Sequence, residues 1–290
     1  MHTRQIDASQ APPSDTVPEQ SPTVSLLGRK PLLAFAGISI GLTWAVQFTF
    51  LALGWPLFPA LIIELAILLV TATAVTHRME GGAGVRRLYR QAVRWRVGTR
   101  WYLAVLFLLP VATVLVAAVT GTLSGPEDSW GTEAFQYFFL TLVFGALLGN
   151  VWEELAWTGF LQARLTDGHG LLKGALWTAL PFGLIHLPLA FEENGLAGTS
   201  LGDVALTWAL LLGLAPFFRY LIGLVHLHTG RSVLAVAILH GSFNACASTT
   251  LTTGGWQYIP AAVVATLAIA VGLSRGRRGP QPGASEGVGR

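Results

Sequence analysis

The sequence predicts an all-α, polytopic membrane protein of about eight transmembrane helices with a polar intramembrane site. Three observations predict it. Hydrophobic residues make up 52% of the 290-residue chain and charged residues 11%, with a mean hydropathy of +0.57, too apolar for an ordinary soluble domain. Apolar runs of about 20 residues, the length that crosses the hydrocarbon core, recur along the chain. The loops between these runs alternate between basic and acidic, as the loops of a membrane-threading chain do.

Residues 1–30 are rich in Pro, Ser, Gln and Thr and lack an apolar h-region, so they read as a disordered tail and not as a signal peptide. The membrane domain then runs over 31–274. Its apolar segments fall at 32–53, 57–76, 101–121, 134–163, 172–190, 204–225, 232–250 and 258–274. Pro56 and Pro59 force a turn between the first two. The fourth is over-long and is expected to tilt or emerge from the bilayer. Residues 275–290 are low-complexity and basic, a second disordered tail.

Cytoplasmic loops concentrate Lys and Arg. The loop after the second segment carries Arg78, Arg86, Arg87, Arg90, Arg94, Arg96 and Arg100, whereas the next carries Glu127, Asp128 and Glu133. Arg164, Lys173, Arg231 and Arg275 continue the alternation, which places both termini in the cytoplasm. Within the basic loop, Val85, Leu88, Tyr89 and Val93 are spaced as on an amphipathic helix lying on headgroups; a solvated basic loop is the alternative. The net charge of +3 comes from these arginines, which argues for topology and anionic lipid and against nucleic acid as a partner. Lys30 and Lys173 are the only lysines, a bias toward a GC-rich, bacterial source and hence a bacterial plasma membrane. A single cysteine, Cys246, excludes an internal disulfide and a cysteine-based zinc cage.

The polar residues inside the apolar runs carry the functional signal. A charge at the bilayer centre costs roughly 2.5–3.5 kcal/mol on insertion scales. Yet Glu153 and Glu154 are adjacent within the fourth segment, His186 lies in the fifth, and His240 and Asn244, four apart and so on one helix face, lie in the seventh. Counted at 1.5 Å per residue from Arg164, Lys173 and Arg231, Glu153, His186 and His240 lie at depths of about 17, 20 and 14 Å, close to one plane. A cavity there is expected to open toward the arginine-rich side. Glu64 and Arg219 also fall inside predicted spans and are expected to be structural partners; His226 and His228 are expected near the solvated interface. Gly145 and Gly149 suggest close helix packing before the glutamates.

In order, "EELAWTGFL", "FGLIH" and "HGSFN" resemble the three signature motifs of the CPBP family: the type 2 CAAX prenyl proteases and the bacteriocin-processing or immunity (Abi) proteins. The family pattern reads Glu-Glu-x-x-x-Arg, Phe-x-x-x-His and His-x-x-x-Asn. Here it falls on Glu153 and Glu154, on Phe182 with His186, and on His240 with Asn244, within a signature region of 150–246. The resemblance implies an intramembrane endopeptidase cleaving near the cytoplasmic face, with Glu153 and His186 activating water and His240 and Asn244 stabilising the oxyanion. Its partners would be a peptide or protein substrate and the lipid bilayer. The family arginine falls on Thr158, which removes the ion pair expected to orient a glutamate; Arg219 is a candidate for the missing cation.

Two histidines and a carboxylate, His186, His240 and Glu153, also make a donor set for one zinc ion with an open position, and a metal-free glutamate mechanism is the alternative. There is no H-E-x-x-H, and the aspartates fall in tails, loops or at a segment edge, against the other intramembrane metalloproteases and the aspartyl class. The competing class is a non-catalytic membrane protein, an immunity or scaffold factor or a small transporter, keeping the polar cluster for binding. Thr158 favours that reading; the three motifs together favour the protease.

Overall fold

The computed structural model describes residues 30–253 and 258–276, so the tails expected at 1–30 and 275–290 fall almost wholly outside the described residues. The described chain is nearly all helix. In order it forms α1 (Pro31–Ala52), α2 (Phe58–Ala92), α3 (Thr99–Thr120), α4 (Trp130–Leu148), α5 (150–169), α6 (Leu171–Ile185), α7 (Leu201–His228), α8 (Val233–Ala247) and α9 (Tyr258–Gly276). Among the described residues six stretches are long and apolar enough to cross a membrane, namely α1 to α4, α6 with the turn that follows it, and α7; α8 and α9 are shorter apolar helices. This is an integral membrane protein.

Of two features that matter for the site, the first departs from the sequence reading and the second agrees with its amphipathic-helix alternative. The fourth apolar segment is not one tilted helix: it breaks at Gly149 (φ −114°, ψ −83°) into α4 and α5. The second half of α4 and the middle of α5 (Leu155–Gln162) wind as π-helix, a rare, wider turn that is frequent at functional sites. Second, the basic loop after the second segment is helical. At Gly81 the backbone takes φ 64°, ψ −167°, which glycine adopts without strain, and α2 then continues through the arginines to Ala92. Its apolar face is real, with Leu88 buried, whereas Val93 is 70% exposed.

The core sits around α5. Every residue of Leu155–Gln162 is buried, as expected of a helix surrounded by others. Trp157 packs edge-on against Phe35 of α1 and Phe182 of α6, with ring centroids 5.5 and 5.8 Å apart. Around this centre α7 packs on α6, and α8 packs on the π-helical half of α4. His226, expected at a solvated interface, is instead buried, its Nε2 3.0 Å from Gln91 Oε1.

Candidate active site

Each site side chain owes its place to a local feature of its element. Pro188 lacks an N–H and cannot continue α6, so the helix gives way to a 3₁₀ turn (Leu187–Phe191) just after His186. Freed from the helical ladder, the Phe182 carbonyl accepts a hydrogen bond from His186 Nδ1 at 2.7 Å. A carbonyl only accepts, so Nδ1 carries the proton and, in the neutral ring, Nε2 presents a lone pair. Glu153 ends the first turn of α5 and Glu154 follows it, just after the break at Gly149. His240 reaches them because α8 and α4 touch backbone to backbone: a Cβ on Gly241 would lie 2.8 Å from the Thr141 carbonyl oxygen and 2.9 Å from Gly145 Cα.

The three helices bring their polar groups together. Glu153 Oε1 lies 3.6 Å from His186 Nε2, and Glu153 Oε2 lies 3.9 Å from His240 Nδ1. Oε2 also faces Asn150 Nδ2 at 3.5 Å, but Oε1 is buried with no hydrogen-bond partner among the described residues. A water set to one side of this short gap can reach both acceptors. Such a water would donate one hydrogen to Glu153 and the other to His186, leaving its lone pairs free.

Glu154 is in a different situation. It is fully buried, and Arg219 of α7, also fully buried, grips both its oxygens through Nη1 at 2.9 and 3.0 Å. Arg219 Nη2 donates to Thr158 Oγ1 at 2.6 Å, and the Thr158 hydroxyl donates onward to Glu154. Gln162 Oε1 accepts from Nε and Nη2, and the guanidinium lies over the Phe182 ring, 4.9 Å from its centre. The arginine absent from position 158 is therefore replaced from another helix, and Thr158 becomes a relay within the same ion pair. Glu154 Oε1 also accepts from His240 Nδ1 at 2.9 Å, which fixes that ring with Nε2 as its other polar atom. Of the two glutamates, Glu154 is neutralised and immobilised; Glu153 is the one facing open space.

That space is a cavity of about 410 Å³ lined by Glu153, His186, His240 and Asn244 together with Glu64 and Asn150. The sequence reading missed Asn150 and did not connect Glu64 with the site. Glu64 accepts a hydrogen bond from Gln47 of α1 at 2.8 Å, so the structural pairing expected of it coexists with a place in the cavity wall. Asn150 directly precedes the apolar turn bearing the glutamates, and only the break at Gly149 turns it toward them. The remaining lining includes Leu61, Leu189 and Ser248, from the ends of their elements away from the arginine-rich loops. The cavity thus extends into the half of the bundle remote from those loops, the reverse of the sequence expectation. Residue counting located the plane but carried no information on which way the helix packing leaves space.

The zinc set expected from Glu153, His186 and His240 does not fit the geometry. The His240 nitrogen that approaches Glu153 is the one donating to Glu154, so it has no lone pair to offer an ion. No group of three His, Cys, Asp or Glu side chains among the described residues is arranged to hold a metal.

Residues 135–246 match the family described as type II CAAX prenyl endopeptidase, Rce1-like. Over that segment the chain is similar to the Rce1-like family. The segment contains Glu153, Glu154, His186, His240 and Asn244 as well as Arg219, whereas Glu64 contributes to the cavity from outside it. The family so described is one of CAAX-type endopeptidases. No curated protein matches the sequence.

Proposed function

We propose that this chain is an intramembrane endopeptidase in which Glu153 is the general base. The observation that carries the reading is the buried, unpartnered Oε1 of Glu153, 3.6 Å from a histidine nitrogen with a fixed tautomer, in a cavity. Water bound between Glu153 and His186 gives its proton to Glu153 as its oxygen attacks the peptide carbonyl carbon. The tetrahedral oxyanion is met by the Asn244 amide and, in its protonated form, by His240 Nε2–H. As the C–N bond breaks, the proton passes from Glu153 to the leaving amine, releasing a carboxylic acid and an amine, and the acid's remaining proton then passes to the amine or to solvent. Glu154, Arg219 and Thr158 touch no substrate in this scheme; they hold His240. Thr158 had favoured a non-catalytic role, and the pairing of Arg219 with Glu154 removes that objection.

The test uses the purified full chain in nanodiscs with a library of membrane-tethered peptides in H₂¹⁸O, the products read by mass spectrometry. Hydrolysis puts one heavy oxygen into each new carboxyl terminus. A folded, monodisperse protein that cleaves no library member, or whose products carry no solvent oxygen, would overturn the proposal.

A further inference from the structure

At the other end of α5 from Glu153, the second half of α2 folds over the helix and encloses a separate cavity of about 610 Å³. Five arginines line it, Arg87, Arg90, Arg94, Arg164 and Arg231, against two carboxylates, Glu80 and Asp167. The carboxylates fix three of the guanidiniums: Glu80 takes Arg87 at 2.8 Å and Arg164 at 2.5 Å, and Asp167 takes Arg231 in a two-point fork at 3.0 and 2.6 Å. The Asp167 hydrogen bond raises the Arg231 guanidinium above its ordinary pKa and keeps it charged. Arg94 is fastened to the Gly230 carbonyl. Among the described residues Arg90 makes no hydrogen bond, and Arg164 Nε–H is buried without an acceptor. Positive charge in excess, held rigidly around a concave space with donors to spare, is a receptor for an anion.

The donor chemistry selects the anion class. Guanidinium forks match the oxygens of a phosphate in paired hydrogen bonds. Beside the arginines, Val93 and Trp95 are 70% and 62% exposed, and the Arg96 guanidinium lies over the Trp95 ring at 5.1 Å. Exposed apolar and aromatic side chains next to arginines are what a headgroup region accommodates. We propose that this cavity binds a phosphate group, carried by an anionic phospholipid or free in solution.

Two arms distinguish the sources. Native mass spectrometry of the detergent-purified chain measures retention of added phosphatidylglycerol against phosphatidylcholine. Thermal melting in phosphatidylcholine nanodiscs measures protection by inorganic phosphate against chloride at equal ionic strength. For a lipid headgroup, phosphatidylglycerol is retained selectively, and R90Q/R94Q weakens retention roughly tenfold or more. For free phosphate, melting protection appears in neutral nanodiscs and is lost in the same variant. Should R90Q/R94Q melt below the wild type without ligand, R90Q alone, an exposed position without hydrogen bonds, repeats the measurement with a smaller loss expected. R86Q, on the same helix but outside the cavity lining, is the control and should retain binding. An equal loss in R86Q would mean diffuse surface charge, and that result, or an absence of binding in both arms, overturns the proposal.

Discussion

Arg219 and Glu154 are both wholly buried, and removing one partner of such a pair leaves an uncompensated charge in a low-dielectric interior at a cost of about 3–5 kcal/mol. R219M is therefore expected to lower the melting temperature sharply and abolish cleavage. R219K should recover only part, because one ammonium cannot reach Glu154, Thr158 and Gln162 together as the planar fork does. The double variant T158R/R219M returns the cation to the family's own position and uses the volume vacated on α7; it should restore both melting and turnover above R219M. If the double variant cleaves no better than R219M while melting like the wild type, Arg219 does more than neutralise Glu154. The glutamates were legible in the sequence because a charge pair inside an apolar run has few structural explanations. Arg219 could be named as a candidate partner but not placed beside Glu154, since 61 residues separate it from Thr158 and spacing along a chain says nothing about which faces of distant helices meet.

The crossing of α4 over α8 sets the height of His240. Gly145 and Gly241 leave no room for a methyl group, so G241A must push the helices apart or strain them, at about 1–3 kcal/mol. Loss of melting temperature and of turnover together is the expected result. Gly37 on α1 has open space where a Cβ would stand, and G37A should cost nothing in either measurement. A G241A variant as stable and active as G37A would show that this contact does not position the site. Sequence periodicity indicated most of the helices, because apolar runs of spanning length report themselves. It did not reveal the break at Gly149 or the π-helical turns on either side: the run from 134 to 163 reads as one largely apolar segment, and one hydrogen-bond register is as compatible with it as another.

At the scale of the whole molecule, the arginine asymmetry predicts that the loop bearing Arg86 faces the cytoplasm and the loop bearing Ser129 faces the opposite side. With the buried Cys246 replaced by Ala, a cysteine at Ser129 should react with an impermeant maleimide from outside intact cells, and one at Arg86 only after lysis. The reverse pattern would invert the protein and move the cavity, which lies in the half remote from the arginines, to the cytoplasmic side. The central claim is independent of orientation: three helices distant in sequence deliver Glu153 and His186 to one water and His240 and Asn244 to one oxyanion. Its most direct measurement is the turnover of E153Q, which keeps the side-chain volume and removes the base. The account predicts a loss of roughly 10²–10⁴-fold, the contribution of a general base, with the melting temperature unchanged. Turnover within twofold of the wild type in a folded E153Q protein would contradict it.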